Sequence, residues 1–119
     1  MSVGAVHVSE QPLWPVATLS GEVDLSNVDD LALRLESSVT NHCRGLVLDL
    51  SAVTYLDSTG LRLVYRLARQ LGDRQQGLRL VVPPGSRILR VLTLAGVGSV
   101  ATVVPDLASL PPDDEEELP

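Results

Sequence analysis

The stretch LVLDLSAVTYLDSTGLRLVYRLARQL, Leu46 to Leu71, changes its periodicity in the middle. Its first part follows Gly45 as a nearly continuous apolar run, the pattern of a strand buried on both faces in a sheet covered by helices. Asp57-Ser58-Thr59-Gly60 then interrupts the run. Beyond it, at about 100° per residue, Leu61, Val64, Tyr65, Leu67, Ala68 and Leu71 gather on one side of a helix. Leu63 falls at the edge of that side, and Arg62, Arg66, Arg69 and Gln70 lie opposite. A central strand handing over directly to an amphipathic helix indicates an α/β fold.

Working outward, Val3 to Val8 and Val16 to Leu19 read as two neighbouring antiparallel strands separated by the proline-containing SEQPLWP. SGEVDLSNVDDLALRLESSVT follows, with Ser26 placed to cap a helix whose first turn carries Asp29 and Asp30. Val28, Leu31, Ala32, Leu35 and Val39 recur on its inner side. After the Leu46–Leu71 segment, Gly77 precedes a strand LRLVVPP, and Ser86 caps a third helix running through Ala95 to a stop at Gly96. SVATVVPD supplies a last strand and DLASL a short helical turn. The expected order is β-β-α-β-α-β-α-β, a mixed sheet of about five strands with parallel pairing and right-handed crossovers. Residues 1–110 form the expected domain, and 111–119, with PPDDEEELP, an acidic solvated tail.

Composition narrows the chemistry. The chain of 119 residues is 45% hydrophobic and 20% charged, which suits one globular domain. All nine basic residues are arginine, so a Walker-type phosphate lysine, a Schiff-base lysine and a Ser-Lys nucleophile pair are excluded. Five of the six net negative charges belong to Asp113–Glu117, and the remainder is close to neutral. That distribution gives no footprint for nucleic acid. No apolar run approaches the roughly 20 residues that cross a bilayer, and the N-terminus lacks a signal-peptide pattern. The single cysteine, Cys43, agrees with a reducing compartment, so the expected location is the cytoplasm, without membrane insertion.

Ser58 admits three readings. As a helix cap, its oxygen accepts a backbone N–H at the start of the helix. As a nucleophile it needs a base, and only His7 and His42 are available. DSTGL also lacks the glycines of G-x-S-x-G, which argues against a hydrolase and for no enzymatic activity. His42 and Cys43 form no recognisable metal pair, so neither a metal nor another cofactor is expected. The third reading is that Ser58 is modified by another protein. The arginine stripe beyond it is either a solvated helix face or a docking edge for an acidic partner.

The third reading is where a resemblance enters. LVLDLSAVTYLDSTGLRLVYRLARQL resembles the central segment of STAS domains of the anti-sigma-factor antagonist family. LSGEVDLSN is similar to that family's G-E-[LV]-D segment, and LRVLTLAGVGSVATVVPD to its closing helix and strand. The resemblance implies a sheet with helices against one face. It also implies a regulator whose unphosphorylated form binds an anti-sigma factor with serine kinase activity and releases a sigma factor. Phosphorylation of Ser58, with Thr59 as the second-ranked acceptor, would switch it off, and a phosphatase would reset it. The contact surface expected on this basis comprises Asp24, Asp57, Ser58, Thr59, Gly60, Arg62 and Leu63, in a monomer or weak dimer. The alternative is a non-switching STAS scaffold or accessory subunit of a stress-signalling or transport complex. Arg62 departs from the family pattern, since many relatives carry a small residue there.

Overall fold

The computed structural model describes residues 5–8, 13–24 and 26–110. Strands β1 (Ala5–Val8), β2 (Val16–Val23), β3 (Gly45–Leu56), β4 (Gly77–Val81) and β5 (Thr102–Val104) form one sheet in the order β1-β2-β3-β4-β5. The β1–β2 pair is antiparallel and the other three are parallel. Each parallel step is bridged by a helix: α1 (Val28–Ser37), α2 (Ser58–Asp73) and α3 (Arg87–Leu94). The mixed α/β order, the central place of β3 and the inward side of α1 agree with the sequence reading. Residue 3 and the acidic tail at 111–119 lie outside the described residues.

All three helices pack on one face. Leu46, Leu48 and Leu50 of β3 and Leu78 and Leu80 of β4 meet Leu31 and Leu35 of α1, Leu63, Val64 and Leu67 of α2, and Ile88 and Leu92 of α3. Each fully buried leucine contributes about 1.5–3 kcal/mol of transfer free energy. The alternate residues of β3 point to the opposite face, where no helix lies. There Trp14, Val47 and Val81 make a second buried cluster, with Leu13, Val16, Val104 and Leu110 packed against it. The two-sided burial expected of β3 therefore holds over its first half, with a tryptophan rather than helices on the second face.

Trp14 needs a flat seat. Gly45 and Gly77 are partners across β3 and β4, and a Cβ on Gly45 would lie 2.4 Å from Trp14 Cζ3 and 2.2 Å from the Gly77 carbonyl oxygen. The indole edge sits where those side chains would stand. The Arg79 guanidinium stacks on the indole, 3.6 Å from its centroid, and is itself 5% exposed. A cation–π contact favours arginine in such a dry position.

Three local expectations need correction. Ser26 does not cap α1: the N-cap is Asn27, without a side-chain cap bond. Ser26 instead donates both its N–H and its hydroxyl to Asp24 Oδ1, at 2.9 and 2.6 Å, and Asn27 ties the same loop to the Asp24 N–H and the Glu22 carbonyl. The last strand is shorter than SVATVVPD because Val97–Ser99 forms a 3-10 turn. That turn engages the N–H groups of Ser99, Val100 and Ala101 before pairing with β4 can begin. Ser58 is the third case, taken up below. The caps of α3 fall where expected: Ser86 Oγ accepts the Leu89 N–H at 3.1 Å, and Gly96 turns the chain at φ 76°.

The two glycine environments give opposite expectations. Gly45→Ala should destabilise the protein by about 1–3 kcal/mol through overpacking under Trp14. Gly72 lies in α2 with nothing within 4 Å of an added Cβ, so Gly72→Ala should stabilise it by about 0.5–1 kcal/mol. Equilibrium urea unfolding reads both as shifts of midpoint at constant slope.

Candidate functional site

The site is built where β2 and β3 end together. Val23 pairs with Leu56, so Asp24 and Asp57 are the residues that leave β2 and β3 directly after their last paired positions. Asp57 is the N-cap of α2: its Oδ1 accepts the N–H of Thr59 at 2.9 Å and of Gly60 at 3.1 Å. The cap expected at Ser58 thus belongs to Asp57. Carboxylate and hydroxyl both cap well, and the one whose backbone is extended, Asp57 at ψ −168°, takes the place. Ser58 becomes the first helical residue, exposed, with its hydroxyl uncommitted.

Gly60 is buried rather than presented. An added Cβ would lie 2.6 Å from Leu56 Cδ1 and 3.3 Å from Val23 Cγ1. The glycine lets α2 start directly over the end of β3. Its share in the expected contact surface is therefore to seat the helix, while Thr59, half-buried, and Ser58 reach the surface.

Leu63 also moves out of the contact surface. It is 3% exposed and belongs to the main core. The wheel placed it at the edge because it weighed all apolar residues of the helix equally. The structure rotates the buried side toward α1, so Gly60, Leu63, Val64, Leu67 and Leu71 are inward. Leu61, Tyr65 and Ala68 are only partly buried, and the Tyr65 hydroxyl donates to the carbonyl of Ala95, just past α3. On the opposite flank, Arg66 pairs with Glu36 of α1 at 3.0 Å. Arg62 and Arg69 are exposed and have no carboxylate partner among the described residues.

One surface residue escaped the sequence reading. Tyr55, two residues before Asp57 and paired in register with Glu22, is 49% exposed. The strand's bulges against β2, one of them between Gly21 and Glu22, break the simple alternation that would have marked it.

Neither histidine serves Ser58. His7 pairs with Thr18, five residues and roughly 16 Å along β2 from Val23. His42 precedes β3, whose 12 residues separate it from the site. Among the described residues no three His, Cys, Asp or Glu side chains cluster as a metal site requires, and no helix is long and apolar enough to cross a membrane.

A mixed five-stranded sheet with helices on one face and a hydroxyl at the start of α2 can now be compared with known proteins. The family model described as "Mlab, STAS domain" matches residues 6–105, and the chain belongs to the STAS domain family. BtrV of Bordetella bronchiseptica, assigned as an anti-sigma factor antagonist, is 38% identical over 65 residues. That match takes in 55% of this chain and 56% of BtrV, so it spans little more than half of the relative's length. Among solved structures, an anti-sigma factor antagonist from Mycobacterium paratuberculosis superposes with a TM-score of 0.78 at 25% identity, covering 89% of each chain. The Bacillus cell fate determinant SpoIIAA in its phosphorylated form shares the fold, with a TM-score of 0.64 at 18% identity over 88% of this chain and 96% of that one.

The division of labour between neighbours is measurable. Asp57→Ala should cost about 1 kcal/mol of stability through loss of the cap, while Ser58→Ala should stay within about 0.5 kcal/mol of the parent. Thermal and urea unfolding of the two variants compares them directly. Equal losses would return the capping role to Ser58.

Proposed function

We propose that this chain is an anti-sigma-factor antagonist, whose unphosphorylated form binds an anti-sigma factor with serine kinase activity and is switched off by phosphorylation of Ser58. The observation that carries the reading is the exposed Ser58 hydroxyl, left free because Asp57 performs the capping. The names of its relatives support the same class: BtrV and the mycobacterial structure are anti-sigma factor antagonists, and SpoIIAA is known in a phosphorylated form. Transfer would join the γ-phosphoryl group of ATP to Ser58 Oγ and break its bond to ADP, with the hydroxyl proton passing to the kinase's base.

A phosphate at this position acts on the complex more than on the fold. It adds about −1.5 to −2 charges at the positive end of α2, outside the core. At an interface the same dianion stands beside Asp57 and Asp24 and must be desolvated, a cost of several kcal/mol when poorly paired. Moving a population from 99% bound to 1% takes about 5.5 kcal/mol. The proposed surface comprises Asp24, Asp57, Ser58, Thr59 and Arg62, with Tyr55 beside them. A phosphatase would reset the switch.

The matching family model's description names the STAS domain without an antagonist role, which leaves a non-switching STAS scaffold or accessory subunit as the second reading. Incubation with the kinase-type anti-sigma factor encoded nearest to this chain, with ATP, separates the two. Mass spectrometry should find one phosphate on Ser58 and none in Ser58→Ala. By calorimetry, Ser58→Ala should bind like the parent, and Ser58→Asp at least tenfold more weakly. Equal affinity of Ser58→Asp and the parent would sink the switch and leave the accessory role.

A further inference from the structure

A phosphate on the first residue of a helix ordinarily draws on the free N–H groups of the first turn. Here two of those groups are already taken, since Asp57 Oδ1 accepts from both Thr59 and Gly60. The capping carboxylate also puts a like charge next to the modified residue. With the Leu61 N–H bonded to the Asp57 carbonyl, little of the first turn is left for the dianion, and a side-chain cation is the stronger partner for it.

On α2 itself the cations are Arg62, Arg66 and Arg69. Ser58, Arg62 and Arg69 fall within about 40° of one another on the outer ridge of α2. Arg62 stands four residues from Ser58, the spacing at which helix side chains meet at about 5–6 Å between Cβ atoms. It is exposed and has no carboxylate partner among the described residues. Arg66 is engaged by Glu36 at 3.0 Å, and Arg34 by Asp30 at 3.2 Å. Arg69 lies roughly 16 Å along the axis from Ser58.

We propose that Arg62 captures the phosphate of phosphorylated Ser58 within the same chain. The inference rests on Ser58 being the phosphorylated residue. A planar guanidinium can hold two phosphate oxygens at once, and it remains charged at every pH the protein meets. Phosphorylation then does two things in one step. It adds a dianion beside Asp57, and it turns Arg62 back along its own helix, removing from the contact surface the cation that an acidic group on the partner would meet. Regulation thus passes through withdrawal of a docking arginine as well as through repulsion.

The test needs no kinase. The full chain is produced with phosphoserine genetically encoded at position 58, and its phosphate is titrated by phosphorus NMR. A neighbouring cation favours the dianion and lowers the titration midpoint. The parent should titrate roughly 0.15–0.4 pH unit below Arg62→Gln. Arg62→Lys should recover part of that shift, Arg69→Gln should leave it intact, and 0.5 M NaCl should compress it. Coincident curves for the parent and Arg62→Gln overturn the capture, as does an equal effect of Arg69→Gln, which would mean general charge rather than a pair. Failure of any kinase to modify Ser58 would instead strike the proposed function, and the two failures are read in separate experiments.

Discussion

At the end of β3 the chain must turn through Asp57 while Leu56 stays in the core, and a residue without a Cβ at position 60 lets α2 begin directly above that leucine. The predicted clash at 2.6 Å leaves no room for any other side chain without displacement of Leu56 or Val23. Once the helix is seated there, the rest of the site has little freedom. Asp57 is the last extended residue, so its carboxylate reaches the first-turn N–H groups. Ser58, one position on, faces outward. The ridge that continues from it carries Arg62 and Arg69, because Gly60, Leu63, Val64, Leu67 and Leu71 are held against the sheet.

The same seating leaves the Ser58 hydroxyl exposed in a region so tightly specified. A residue that both capped the helix and received a phosphate would set stability against signalling, since modification would disturb the cap. Dividing the roles between neighbours avoids the conflict. Asp57 holds about 1 kcal/mol of helix stability, and the Ser58 hydroxyl makes no hydrogen bond among the described residues. Chemistry on Ser58 can then change what binds without changing what folds.

Much of this was legible in the residues. The continuous apolar run of β3, the break at Asp57-Ser58-Thr59-Gly60 and the period of α2 are strong local signals, and they fixed the order of elements and the place of the site. Less legible was anything decided by which neighbour packs where. A helical wheel cannot say whether α1 or α3 closes a flank, so Leu63 was drawn at an edge when it lies in the core. Serine, aspartate and asparagine are near-equal caps, so Ser26 and Ser58 each stand one position away from the residues at the cap positions, Asn27 and Asp57, of which Asp57 alone accepts first-turn N–H groups. The seat of Trp14 over Gly45 and Gly77 depends on a pairing between strands far apart in sequence, and neither glycine announces it alone.

That pairing bears on how far the site can be read from its motif. The bare face of a one-sided sheet is ordinarily polar, yet here Trp14, Val47 and Val81 close it, with Arg79 stacked on the indole. Burial on both faces makes the first half of β3 a rigid base. The second half, from Ser51 onward, runs past the end of β4, whose last partner is Asp49, and is exposed at Ser51, Ala52, Thr54 and Tyr55. The β2–β3 pair therefore extends beyond β4 and carries Tyr55, Asp57 and Ser58 at its end. Family resemblance covers the hydroxyl, the helix and the carboxylates of Asp24 and Asp57, and it is Arg62, one turn ahead of Ser58, that departs from it. Any partner that approaches Ser58 meets that dipole first, and the balance between Asp57 and Arg62 decides whether added negative charge is repelled or absorbed.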